Sequence, residues 1–267
     1  MMFVQKMSVR QFGLVNWLGL YTLISREIRR FSSIWLQTLV APLVTATLLM
    51  MIFNIAIGDR RGEVMGVSFV VFIAPGVMMM TVIQNAFANS SSSLISAKIQ
   101  GNIVDTLMPP LSGGELLIGY LSGSLGRGLL ISLAMLLGMA LFLGVFVMYP
   151  LLVFGFVLLG SIFLGTLGII AAIYAQKFDQ MSTITNFVIT PLAFLSGSFY
   201  SIEALPENVR QLAYYNPLFY LIDGTRYAIL GVSDCSPFTS FVIVIGSVIV
   251  VYALAWRMFA TGYRLKS

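Results

Sequence analysis

Six apolar runs separated by short polar breaks constrain this chain more than any other feature. They cover 34–57, 67–88, 116–148, 151–175, 181–199 and 238–259. Each is close to or above the ~20 residues that a helix needs to cross a hydrocarbon core about 30 Å thick. Charge agrees with length. Only 9% of the 267 residues are charged and 58% are hydrophobic, whereas soluble domains carry about 25% charged residues. The fold class is an all-α polytopic membrane protein with six transmembrane helices in a single transmembrane domain, 1–267.

Residues 14–31 precede the first run. Leu14, Trp17, Leu18, Tyr21, Ile24 and Ile28 fall at helical spacing on one side, and Arg26, Arg29 and Arg30 close the segment. A short apolar stripe ending in cations suits a helix lying in the membrane interface. An ordinary first span is the alternative, but a better run begins at Ile34. Lys6 and Arg10 are followed by no small-residue cleavage site, so no cleaved signal peptide is expected.

The second run is expected to end near Ala88, where Asn89 and the serines 90–93 interrupt it. Residues 94–115 are polar. Within them Ile99, Ile103 and Leu107 recur every four residues among Lys98, Gln100, Asn102 and Asp105, which predicts a short amphipathic helix stopped by Pro109-Pro110. Gly119 and Gly123 in the third run form a small-xxx-small pair suited to close helix packing.

Residues 182–231 break the pattern. The fifth run is interrupted by Pro191 and Gly197, and Pro206 and Pro217 punctuate the stretch beyond it. Yet the segment stays aromatic, with Phe199, Tyr200, Tyr214, Tyr215, Phe219, Tyr220 and Tyr227. A water-exposed loop has no use for that much apolar surface, and a plain span would not carry those breakers. The expectation is a re-entrant hairpin with helices near 206–214 and 217–230, joined at Asn216-Pro217.

Six crossings put both termini on one side. With the termini inside, eleven cations fall inside (Lys6, Arg10, Arg26, Arg29, Arg30, Lys98, Arg127, Lys177, Arg257, Arg264 and Lys266). Four fall outside (Arg60, Arg61, Arg210 and Arg226). That bias favours cytoplasmic termini, a cytoplasmic 94–115 segment and an external 201–237 segment. The net charge of +5 is read as basic loops rather than a nucleic-acid footprint.

No catalytic constellation is visible. With no histidine and one cysteine, Cys235, intrachain disulfides, histidine acid–base chemistry and Cys/His metal clusters are excluded. Residues 111–115, LSGGE, match the signature of ABC ATPases, but no G-x-x-x-x-G-K-[ST] loop accompanies them, so the match is read as coincidence. Asp223 and Arg226, three apart, read as a local ion pair. Polar stripes run along three spans: Gln84, Asn85 and Asn89; Thr183, Asn186 and Thr190; Thr38, Pro42 and Thr45. Each polar side chain alone reads as an interhelical hydrogen bond of ~0.6 kcal/mol. Together the stripes read as a seam along a translocation path.

The ordered layout resembles the type-2 ABC exporter permeases, and most closely the short bacterial subgroup of nodulation-factor and drug export permeases. Lys98 to Pro110, KIQGNIVDTLMPP, is similar to the family's coupling-helix segment, with an acid at Asp105. Asn216-Pro217-Leu218, Asp223 to Tyr227 and Gly231 are similar to the pattern before the last span. The resemblance implies a multi-pass subunit of the bacterial inner membrane, working as a homodimer or close heterodimer among lipids. A separate ATPase subunit would hold ATP and magnesium, and this chain would carry no cofactor. It implies coupling through Lys98, Ile99, Gln100, Asn102, Ile103, Asp105, Leu107 and the basic Arg26, Arg29 and Arg30. It implies a path along spans two and five, and an outer gate that includes Phe199, Tyr200, Asn216, Pro217, Asp223 and Arg226. Two other readings stay open: an ion-coupled secondary transporter, which would need a central acid or an internal repeat, and a non-transporting membrane assembly protein.

Overall fold

The computed structural model describes residues 13, 15–58 and 62–265. Lys6, Arg10, Leu14, Arg60, Arg61 and Lys266, which entered the charge count and the periodicity, lie outside the described residues. Helix α1 (Trp17–Ser32) starts at Asn16, whose side chain accepts the Gly19 N–H. Leu36–Val40, α2 (Ala41–Phe53) and Asn54–Gly58 continue as one helical run, π-wound at both ends. A small antiparallel hairpin comes next, β1 (Glu63–Val64) and β2 (Val67–Ser68). Its turn residues Met65 and Gly66 both have positive φ, as a tight two-residue hairpin turn requires.

The long helices are α3 (Phe69–Ile99), α5 (Gly113–Leu143), α6 (Pro150–Tyr174) and α11 (Pro237–Thr261), with the short α4 (Ile103–Leu107) between α3 and α5. With the α2 run, five helices among the described residues are long and apolar enough to cross a membrane. The expected fifth span is shorter than 181–199. It is α7 (Phe178–Ile184), a π turn Thr185–Ile189 and α8 (Thr190–Phe194), seventeen continuous helical residues. Pro191 is tolerated at the second position of α8, and the chain turns at Leu195 to Tyr200 instead of continuing. The next two helices are α9 (Glu207–Tyr214) and α10 (Pro217–Leu230). These bounds match the sequence expectation to within a residue. Asn216 caps α10 by accepting the Leu218 N–H at 3.0 Å, and Gly231 ends it at φ 78°.

Other boundaries differ from expectation. The second span does not stop at Ala88; α3 continues eleven residues to Ile99. Its serines return their hydroxyls to the helix, Ser91 to Ala88 O and Ser92 to Asn89 O, and Ser90 pairs with Ser124 of α5. Serines satisfied that way leave a helix intact. The amphipathic helix is not continuous from Lys98. Gly101, at φ 77°, breaks it, so Ile99 ends α3 and only residues 103–107 form α4. The third span ends at Leu143, where Gly144 takes the left-handed conformation, not at Met148.

At 1.5 Å per residue, the 31 residues of α3 and of α5 reach about 46 Å, well beyond a ~30 Å hydrocarbon core. α1 and α4 pack at one end of these two helices. There α1 runs along the first half of α5, with Leu23 over Gly119, Glu27 over Gly123 and Phe31 over Gly126. A Cβ on Gly123 would meet Asn89 Nδ2 of α3 at 2.6 Å and Glu27 Cβ of α1 at 3.2 Å, and one on Gly119 would run into Leu23 of α1, so the small-residue pair seats α1 and α3 closely. α3 and α6 form the buried centre, while α2, α11 and residues 178–194 turn apolar side chains such as Ile55, Phe187 and Phe238 outward.

Candidate functional site

Two polar clusters stand at opposite ends of the bundle. The first joins α1 to α3, α4 and α5. Glu27 is fully buried on α1, and its carboxylate pairs with Arg26 at 3.1 Å and Arg30 at 3.3 Å. The Ser93 hydroxyl donates to it at 2.8 Å. Arg30 also donates to Asn89, at 2.8 Å to the backbone oxygen and 3.0 Å to Oδ1, and to Ser92. Arg26 reaches α4, donating to Thr106 Oγ1 at 2.7 Å. Burial pulls the Arg26 pKa down, but the Tyr120 ring hydroxyl and Glu27 outweigh it and hold the guanidinium above its ordinary value.

The 111–115 match is accounted for here. Glu115 and Ser112 form a reciprocal capping box at the start of α5. The same carboxylate accepts the Asn16 N–H at 2.5 Å, which anchors the start of α1. The residues are a helix cap and a tether, not a nucleotide contact.

α4 thus hangs from this cluster by its inner side. Ile103 and Thr106 are buried and Leu107 half-buried, while Val104, Asp105 and Met108 are exposed. Ile99, Gln100 and Asn102 are exposed beside them, the last two hydrogen-bonded to each other at 3.3 Å. Arg29 is exposed on α1. Lys98 is turned the other way. Its ammonium donates to the carbonyls of Ala172, Ile173 and Ala175 at 2.8–3.0 Å, closing the C-terminal end of α6. The position expected to meet a partner therefore holds two spans together.

The expected apolar stripe of α1 is turned away from the bundle, the side a helix lying in the interface offers to lipid. Trp17, Leu18, Tyr21 and Ile28 are exposed, and the packed side is Leu20, Leu23, Glu27 and Phe31. A buried acid interrupts that second stripe. The signal was a lone carboxylate flanked by Arg26, Arg29 and Arg30, on the same helical face as three apolar residues.

The second cluster belongs to α10. Arg226 and Asp223 are fully buried. Arg226 Nη2 donates to Gly197 O at 2.6 Å, and Nε reaches Phe72 O at 3.4 Å. Nη1 lies 3.5 Å from Asp223 and 3.6 Å from Asp234. The guanidinium sits 4.1 Å from the centre of the Phe72 ring. Asp223 accepts the N–H groups of Asp234 at 2.8 Å and Cys235 at 2.9 Å. Asn216 Nδ2 donates to Leu192 O at 2.9 Å, tying the α9–α10 junction to α8. Phe199 stacks between Phe53 and Phe194, and the Tyr200 hydroxyl donates to Phe194 O. Pro217 is half-buried at the start of α10. The six residues expected at the gate are thus gathered around one corner where α3, α8 and α10 meet.

The polar stripes divide. On α3, Asn89 is held by Arg30 and Asn85 by Arg127, with Gln84 half-buried. Asn85 and Asn89 are thus engaged inside the chain. Thr38 and Thr45 bond backward to their own helical run. Thr183 and Asn186 are exposed and Thr190 half-exposed along residues 178–194. Thr45 on the α2 run is exposed as well, so two of the three stripes face at least partly away from the bundle.

The ABC-2 type transporter family matches residues 19–230, from within α1 to the end of α10. The inner membrane transport permease YadH of Escherichia coli strain K12 is 36% identical over 252 residues, 94% of this chain and 98% of that protein. Nodulation protein J of Rhizobium leguminosarum bv. viciae is 25% identical over 227 residues, 82% of this chain and 84% of that one. The helical bundle with several membrane-length helices and these matches agree: the chain is a multi-pass membrane protein of the ABC-2 type transporter family, a transport permease subunit whose ATPase is a separate chain.

Proposed function

We propose that this chain is the membrane subunit of an ABC exporter of the bacterial inner membrane. It moves an amphipathic or lipid-like substrate outward while a partner ATPase hydrolyses ATP. Both termini and α4 are cytoplasmic, the α9–α10 hairpin is re-entrant from the outside, and two copies or close relatives form the transporter. The observation that carries the reading is α4. Five helical residues expose Val104 at 53% and, just beyond, Met108 at 77%, beside the Asp105 carboxylate, and their inner side is fixed to α1 through Thr106 and Arg26. A short helix that is apolar on its free side and clamped on the other is built to pass force from a soluble partner. Asn186 supports the dimer and the path. An amide facing lipid midway along a crossing segment is costly, and a second copy or a polar path meets it instead.

The test is co-purification with the partner ATPase. Asp105→Arg and Met108→Asp change only exposed side chains, so thermal stability should stay within about 0.5 kcal/mol of the parent. Recovery of the ATPase and its stimulation by the permease should fall together. Survival of both in both variants would sink the proposal.

A further inference from the structure

Arg127 lies fourteen residues into α5, and among the described residues no carboxylate comes within ion-pair distance of it. Its Nη2 donates to Asn85 Oδ1, and the Asn85 amide is oriented by donating from Nδ2 to Thr81 O at 2.8 Å. Nε is buried and finds no acceptor. The Glu27 carboxylate on α1 is already shared by Arg26 and Arg30. An uncompensated cation between spanning helices is expensive, and the structure supplies an opening beside it. A cleft of about 90 Å³ is lined by Arg127, Phe31, Ser32, Trp35, Thr38 and Ile131, among others.

The depth of the cleft decides what could fill it. Trp35 immediately precedes the α2 run and is 57% exposed. An exposed tryptophan at the start of a span sits at headgroup level. Arg127 lines the same cleft, so it lies where lipid phosphates are, not at the middle of the core. The first three turns of α5 stand beyond that level, beside α1. We propose that this cleft binds the phosphate group of an anionic phospholipid in the leaflet on the α4 side. Arg127 supplies the charge-assisted donor, the Ser32 hydroxyl lies at the mouth, and Trp35 and Ile131 offer apolar surface for the start of the acyl chains. The lipid would complete the charge balance of the Arg26–Glu27–Arg30 cluster and fix the hinge between α1 and α2.

The experiment is native mass spectrometry of the full-length protein in neutral detergent, titrated with phosphatidylglycerol, phosphatidylcholine or inorganic phosphate. The parent should bind phosphatidylglycerol at a discrete site that phosphatidylcholine does not fill. Arg127→Met should weaken it about tenfold or more, the loss of a charge-assisted bond. Arg127→Lys should retain most of it, and Arg257→Gln, an exposed cation on α11, should leave it unchanged. Ser32→Trp keeps the charge and covers the mouth, so it should also weaken binding; it decides the matter if Arg127→Met does not fold. Retention of phosphatidylglycerol binding in the folded Arg127→Met or in Ser32→Trp overturns the proposal, as does equal filling by phosphatidylcholine. Inorganic phosphate binding as tightly as phosphatidylglycerol would overturn the lipid as the source.

Discussion

Replacing Arg226 by methionine keeps the bulk of the stem and deletes the charge. The guanidinium has no exposed surface and answers two buried carboxylates, Asp223 at 3.5 Å and Asp234 at 3.6 Å, as well as Gly197 O at 2.6 Å. Removing one partner of a buried ion pair costs about 3–5 kcal/mol, because the remaining charge stays buried and unpaired. Unfolding entropy of ~2.1 cal/mol/K per residue over 267 residues amounts to ~0.56 kcal/mol/K. A loss of ~4 kcal/mol then lowers Tm by about 7 °C, and by more where helices persist in the detergent-unfolded state. Arg226→Lys supplies charge but not the planar fork that reaches Gly197 and Phe72 together, and should recover less than half. Adding Asp223→Asn to Arg226→Met removes one orphaned charge while leaving an oxygen for the Asp234 or Cys235 N–H, and should restore part of the loss. The assay is thermal unfolding in detergent across all four proteins. A Tm drop under about 2 °C for Arg226→Met, or no relief in the double variant, would refute the idea that this cation stabilises the α10 corner.

Gly123→Ala brings a Cβ to 2.6 Å from Asn89 Nδ2 and 3.2 Å from Glu27 Cβ; it should cost about 1–3 kcal/mol and make α1 the first segment cut in limited proteolysis. Lys98→Met removes the ammonium from three α6 carbonyls and should lower stability by about 1–2 kcal/mol without loss of the co-purifying ATPase; loss of the ATPase at unchanged Tm would return Lys98 to the partner surface. In a Cys235→Ser background, Tyr215→Cys should react with a membrane-impermeant maleimide in intact cells, since Tyr215 is 86% exposed, and Phe219→Cys should not, since Phe219 is fully buried; labelling of Tyr215→Cys only after the cytoplasm is opened would invert the topology.

The hairpin was legible because its signals are local. Pro206, Asn216-Pro217 and Gly231 act through fixed φ, a missing N–H and a side-chain cap, all within a few residues, so α9 and α10 begin and end where those residues put them. The Asp223–Arg226 pair was legible too, being one helical turn apart. Asp234, Gly197 and Phe72 were not, because the fold brings them to the guanidinium from other elements. The apolar stripe of α1 was legible, but its packed face was not, because that face depends on Arg30 finding Asn89 and Arg26 finding Thr106, and neither contact has a sequence spacing.

The polar stripes were the least legible, and helix length explains why. A stripe of amides in a span reads as a path only if it lies within hydrocarbon. α3 is about 46 Å long by its 31 residues, so roughly ten of them lie outside a 30 Å core. Asn89 and the serines fall in that excess, where they bind the basic end of α1. Residues 178–194 have no such excess, since seventeen residues reach only about 26 Å. Asn186, in their middle and exposed, cannot be moved out of the core by length. On the proposed reading a second protein surface or a polar passage meets it, whereas Asn85 and Asn89 of α3 are engaged within the chain.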